Sequence, residues 1–205
     1  MKAISMLRGT RYGRRLGVRF GKDRRGLAAV EFAFILPLML TLIFGTIDVS
    51  SGVAIDRKVT LVARTLSDLV SQGTNVTSTD LSNFFKIGSA VMTPYTVTST
   101  TMTLQQVSAI WIDASSKVKV VWSYKGVVNG SSVTVSAGRT AGDVITTVPA
   151  KLLIPNTELI WSEVTYIYTP IAGYVIHGSV PLSDETYARP RQSSCVLYGT
   201  TTSCP

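Results

Sequence analysis

The sequence predicts an α+β protein: a long N-terminal helix that crosses a membrane, then a second helix and a small antiparallel sheet. Three observations carry this. Residues 26–47 are apolar apart from one acid, residues 49–72 continue at helical spacing, and beyond residue 91 Thr, Val, Ser and Ile alternate in short runs. A chain of 205 residues suits one domain with an appendage, and 45% hydrophobic against 16% charged residues excludes a disordered chain.

The formal charge of +8 invites a nucleic-acid reading until its position is examined. Residues 1–25 hold nine basic side chains and one acid, Asp23, while the other 180 residues hold 11 of each sign. The body is therefore neutral and lacks a basic stripe, so no nucleic-acid partner is expected. The basic character belongs to a leader, residues 1–26.

Gly26 to Ile47 reads GLAAVEFAFILPLMLTLIFGTI, with Glu31 as its one charge. As a helix it spans about 33 Å, enough for a hydrocarbon core of roughly 30 Å. Lys and Arg crowd one flank and Asp48 follows the other, so the positive-inside rule leaves the N-terminus cytoplasmic and exports the chain beyond residue 48. A buried helix of a soluble protein rarely has so continuous an apolar circumference. An ordinary secretory signal remains a competitor, because Gly52–Ala54 offers a small-x-small cleavage site; against it stand the long basic region and the acid inside the apolar run. Pro37 removes the backbone bond to residue 33, so a kink is expected there. Glu31 in an apolar span costs on the order of 2.5–3.5 kcal/mol and is a functional candidate by default, although five residues beyond Gly26 its carboxylate could also reach the interface.

After the span (27–48), Val59, Val62, Leu66 and Leu69 form a stripe among Asp56, Arg57, Lys58, Arg64 and Asp68, which predicts an amphipathic extension over 49–73 ended by Gly73. A second helix is expected over about 80–91, capped by Ser78 or Thr79, with Leu81, Phe84, Phe85 and Val91 on its apolar face. Strands are expected at Met102–Ile112, Val118–Tyr124, Val133–Ser136 and Leu159–Tyr168, with short pieces near Tyr174–Val180 and Thr186–Arg189. The turn Asp113–Lys117 joins the first two strands as a hairpin, Asp184-Glu185 reads as a turn, and 138–155 reads as loop or one helical turn. Residues 74–205 thus form an exported α+β domain.

A basic leader, Gly26, Glu31 five residues on, Phe32 and an apolar run together resemble a type IV prepilin processing site. More narrowly, RRGLAAVEFAFILPLML resembles the start of TadE-like proteins of the tight-adherence (Flp) pilus system. Val164, Tyr166, Tyr168 and Pro170 fit that family's late V-x-Y-x-Y-x-P strand, and Ala188–Arg191 with a C-terminal Cys resembles it too. The resemblance covers residues 24–70 best, then 158–205. It implies cleavage between Gly26 and Leu27 by a membrane prepilin peptidase on the cytoplasmic side. Phe32 stands where Tyr is the more usual partner of the Glu. The resemblance also implies that Glu31 pairs with the N-terminal ammonium of a neighbouring subunit, which neutralises two charges each costly alone in lipid. The implied partners are the inner membrane, the peptidase, other pilin-like subunits and the tight-adherence secretion machinery.

Cys195 and Cys204 enclose a ten-residue ring, and export makes a disulfide the natural reading, worth about 2.7 kcal/mol in the loop-entropy model. Catalytic chemistry is hard to assemble. His177 is the one histidine, and there is no Cys/His metal cluster, phosphate-binding G-x-x-x-x-G-K-[ST] or G-x-S-x-G elbow. No cofactor, metal or small-molecule substrate is expected. Arg189 and Arg191 flanking Pro190 could bind an anion or form a solvated edge. The sequence therefore points to a pilus-assembly protein rather than an enzyme. Its rivals are an uncleaved, signal-anchored periplasmic binding or sensor domain, and a secreted enzyme starting near Ser50–Asp56.

Overall fold

The computed structural model describes residues 26–129, 132–171, 173 and 176–205. The basic leader up to residue 25, and Tyr174 and Val175 of one expected strand piece, lie outside the described residues. Helix α1 runs Leu27–Ser71 without a break at Pro37, about 68 Å at 1.5 Å per residue. Thr41 Oγ1 donates to the Pro37 carbonyl at 2.8 Å within this turn. The first half of α1 leaves large apolar side chains from Leu27 to Val53 uncovered. The second half buries Ile55, Val59, Val62, Ala63, Leu66 and Val70, so the inward stripe closes on Val70, not on the expected Leu69.

Two residues of strand β1 (Asn75–Val76) lead to α2 (Ser78–Val91). Its N-cap is Thr77 rather than Ser78 or Thr79: Thr77 Oγ1 accepts from Asp80 N–H, and the Asp80 carboxylate accepts from Thr77 N–H at 2.9 Å. The bonds from Thr77 hold the Asp80 carboxyl below its ordinary range. At the other end of α2, Lys58 of α1 donates Nζ–H to the carbonyls of Val91 at 2.8 Å and Thr93 at 2.7 Å. A cation on the final carbonyls of a helix satisfies groups that have no partner within it. Lys58→Met should lower stability by about 1–3 kcal/mol, read as a lower denaturation midpoint of the full-length protein in detergent.

The sheet is antiparallel, in the order β4-β3-β2-β6-β7, built from β2 (Met102–Ile112), β3 (Val118–Asn129), β4 (Ser132–Ala137), β6 (Thr157–Tyr168) and β7 (Val180–Ala188), with β5 (Val144–Ile145) on β3. The Asp113–Lys117 hairpin forms as expected, closed by Asp113 N–H to the Lys117 carbonyl at 2.9 Å. Asp184 and Glu185 are not a turn: they lie mid-strand in β7, opposite Val164 and Glu163, and the pieces at 180 and 186–188 are one strand. The apolar spacing of Val180, Leu182 and Ala188 permits this, because two charges at 184 and 185 can occupy an outermost strand at little cost. The 138–155 stretch holds β5 and one 3-10 turn, Ala150–Leu152.

One sheet face packs on both helices and forms the main core around Val59, Val62, Leu66, Leu81, Phe85, Val107, Ala109, Ile160 and Val164. The opposite face holds a second core of Ile110, Ile112, Val118, Val120, Val148, Leu159 and Trp161 under the 138–156 segment. Arg139 fastens that segment: its guanidinium pairs with Glu163 and lies 4.0 Å over the Trp161 ring. Cys195 and Cys204 are joined in the expected disulfide. Beside it, strand β8 (Leu197–Tyr198) pairs in parallel with β1.

Candidate functional site: the bare helix and its braces

The candidate processing segment occupies the first turns of α1. Gly26 is the residue at which the helix begins, with φ −78° and no heavy atom within 4 Å of where a Cβ would stand. Leu27 is 67% and Phe32 60% exposed, and Glu31 is exposed too. No described hydrogen bond or ion pair engages the Glu31 carboxylate. The sequence-predicted residues thus share one stretch of helix that the described residues leave uncovered.

The family-like features late in the chain turn out to be braces for α1. The even-numbered residues of β6 face the helix. Ser162 Oγ donates to the Ala63 carbonyl at 2.5 Å, and Tyr168 Oη to the Asp48 carbonyl at 2.9 Å. A Cβ on Gly52 would stand 3.3 Å from the Tyr168 ring, so the small residue here seats an aromatic side chain. Tyr166 Oη reaches the Thr96 carbonyl at 3.0 Å. At the far end of α1, Arg191 donates its backbone N–H to the Ser71 carbonyl at 2.9 Å, and its guanidinium pairs with Asp68. Arg64, Arg189 and Arg191 line an open groove of about 660 Å³ between α1 and β7.

Sequence reasoning did not find Glu158. Its side chain is 2% exposed; Oε1 accepts from Val196 N–H at 2.8 Å, and Oε2 has no hydrogen-bond partner among the described residues. Burial pushes its pKa up to about 7. Trp122 Nε1–H donates to the Val196 carbonyl at 2.8 Å, so Val196 is held by both backbone groups. Glu at the first turn of an apolar strand was the available signal, but alternation alone left it indistinguishable from a solvated side chain. His177 is exposed, and among the described residues no three His, Cys, Asp or Glu side chains converge on a metal position.

Among the described residues these features define one helix long and apolar enough to cross a membrane, its 18-residue window at a mean hydropathy of 2.3, carrying an α+β domain braced along its second half. Residues 26–66 match the family described as TadE-like protein, the family that the N-terminal motif resembles. The match covers about a fifth of the chain and leaves the sheet outside it. No curated protein and no solved structure matches the chain. That similarity supports a role connected with the tight-adherence pilus in general terms, the matched family being one of pilus components rather than a known enzyme family, and the apolar helix fits a membrane-anchored protein.

Proposed function

We propose that this chain is a minor pilin or pseudopilin that takes part in assembling a tight-adherence pilus. In this reading the basic leader stays on the cytoplasmic side of the inner membrane, and a prepilin peptidase cuts between Gly26 and Leu27. The sheet domain is periplasmic, and α1 packs with other pilin-like helices and the secretion machinery. One observation carries the reading: the TadE-like match begins at Gly26, where α1 also begins, and a helix follows whose apolar side chains and Glu31 are uncovered by their own chain. Such a helix needs lipid or other helices around it.

Cleavage would leave an α-ammonium on Leu27 and make Glu31 the fifth residue of the mature chain. Glu31 then neutralises a neighbouring subunit's ammonium in the bilayer, and each charge removes the cost of the other. Leaving one of them alone costs about 2.5–3.5 kcal/mol, which is more than about tenfold in an association constant. Glu31→Ala should therefore reduce surface pili by about tenfold or more, measured by shearing and immunoblotting, while the amount of protein in the membrane is unchanged. Wild-type piliation in that variant would remove the pairing role.

A further inference from the structure

The charges of the sheet stop along one line. Lys125 of β3 lies opposite Gln106 of β2, Gln106 opposite Glu163 of β6, and Glu163 opposite Glu185 of β7. Asp184, opposite Val164, lies one residue beyond that row, and past it, toward Met102, Asn129, Tyr168 and Val180, the described residues 93–105, 126–129, 132–135, 164–171, 173 and 176–183 include no Asp, Glu, Lys or Arg. This is the end at which α1 leaves its apolar half. Tyr168 Oη donates to the carbonyl of Asp48 at 2.9 Å, and Gly173 N–H reaches Asp48 Oδ2 at 3.3 Å. Asp48 itself is buried, and the next charges on α1 are Asp56, Arg57 and Lys58, about 12–15 Å further along the helix axis.

The domain therefore ends in a charge-poor layer about 12 Å deep around the point where the helix becomes apolar. It is reached by buried Asp48 and by the ammonium groups of Lys58, on the Thr93 carbonyl at 2.7 Å, and Lys86, beside Thr93 and Val128. A bilayer's polar interface, which lysines tolerate, is roughly 5–8 Å thick on each side. Solvated domain ends ordinarily carry charge, and this chain does so at its other end, with Asp113, Lys117, Lys119, Asp143 and Lys151. Ile171, in the loop tied to Asp48, is 84% exposed, more than any other large hydrophobic side chain among the described residues. The same end of the domain carries exposed Thr93, Thr96, Ser99, Thr100 and Thr169. A hydroxyl-rich, charge-poor surface bordered by two lysines, with one protruding aliphatic side chain and continuous with an apolar helix, fits a lipid interface.

We propose that this end of the domain rests on the lipid surface from which α1 emerges, with Ile171 entering the interfacial layer. The helix and the domain base then contact the bilayer together, and the sheet is held upright at a fixed height. The inference rests on the reading that α1 spans a membrane, and the test separates the two.

Because Cys195 and Cys204 are joined, an introduced thiol is the one that labels. Full-length Leu36→Cys, Ser99→Cys, Ile171→Cys and Ser115→Cys proteins carry an environment-sensitive fluorophore in phosphatidylcholine vesicles, with or without lipids spin-labelled near the headgroup or at mid-chain. The expected result is strong quenching at 36 by mid-chain labels, strong quenching at 171 and 99 by headgroup-proximal labels, and none at 115. Ser99 leaves Ile171 intact, so its label reports on the unaltered base. If 36 is quenched while 171 or 99 behaves like 115, the base does not rest on lipid although the helix spans it. A blue-shifted but unquenched label at 171 marks a protein contact and equally overturns the proposal. If 36 is unquenched, the spanning helix fails and the inference falls with it.

Discussion

At pH 8, Glu158→Gln is expected to unfold at a higher denaturant concentration than the parent protein, and to lose that advantage at pH 5. Glu158 lies at the start of β6 with its carboxyl against the Val196 N–H, in a place where burial outweighs that one bond and lifts its pKa from 4.5 to about 7. The native state thus holds the proton more tightly than the unfolded chain. Below about pH 4.5 both states are protonated and the group costs nothing. As pH rises through the window from 4.5 to about 7 the unfolded chain ionises first, and stability falls. Above it the loss is complete, about 3 kcal/mol at roughly 1.4 kcal/mol per pH unit. Glutamine keeps an oxygen for the Val196 N–H and cannot ionise, so its unfolding midpoint should be flat between pH 5 and 8. Parallel pH profiles for the two proteins would show that Glu158 does not sense the burial.

Gly126→Val is expected to be the most damaging single change in the sheet. Gly126 pairs with Val135 in the middle of β3 and faces α2, and a Cβ there would stand 2.6 Å from Cγ of Phe85. Phe85 is fully buried, among the largest side chains in the core. The ring cannot retreat into solvent, and the strand is held by β4 at this position and by β2 from Lys125 on, so α2 must lift from the sheet. Overpacking of a filled core costs typically about 1–3 kcal/mol, and the rigid backbone on one side with a full ring on the other places this change at the upper end. Combining it with Phe85→Ala removes Cγ and Cδ2, the two nearest of the colliding atoms. The double variant should lose less stability than the sum of the two single losses, whereas additive losses in chemical denaturation would contradict the account of the contact.

Most of the secondary structure is legible in the sequence for a simple reason: the periodicities belong to surfaces that are each half buried. β2 emerges with its expected ends although Gln105 to Ile110 are buried on both faces, and α1 shows a continuous apolar run followed by a one-sided stripe. What was illegible depends on contacts between distant residues. Thr77 outcompetes Ser78 as the cap because the reciprocal bond to Asp80 fixes the spacing, a capping box that the sequence offered and composition alone did not single out. Asp184-Glu185 looked like a turn because charge pairs favour turns; an outermost strand tolerates them equally.

The candidate site divides the same way. Gly26, Leu27, Glu31 and Phe32 form a local motif that can be read directly. Their braces cannot, because Tyr168 meets Asp48 and Arg191 meets Ser71 across 120 residues of intervening chain. The Val164–Pro170 and Ala188–Arg191 stretches lie outside the family match, and their packing role is specific: each places a donor on a carbonyl of α1, one at the base of the domain and one at its top.

The central claim is that the chain is a prepilin-type protein whose leader ends at Gly26. The direct test is the mature N-terminus of the native protein, sequenced from cells with and without the prepilin peptidase. The account predicts a chain starting at Leu27 in the first case and an uncut leader in the second. A start near residue 55, or an intact Met1 in cells that have the peptidase, would contradict it.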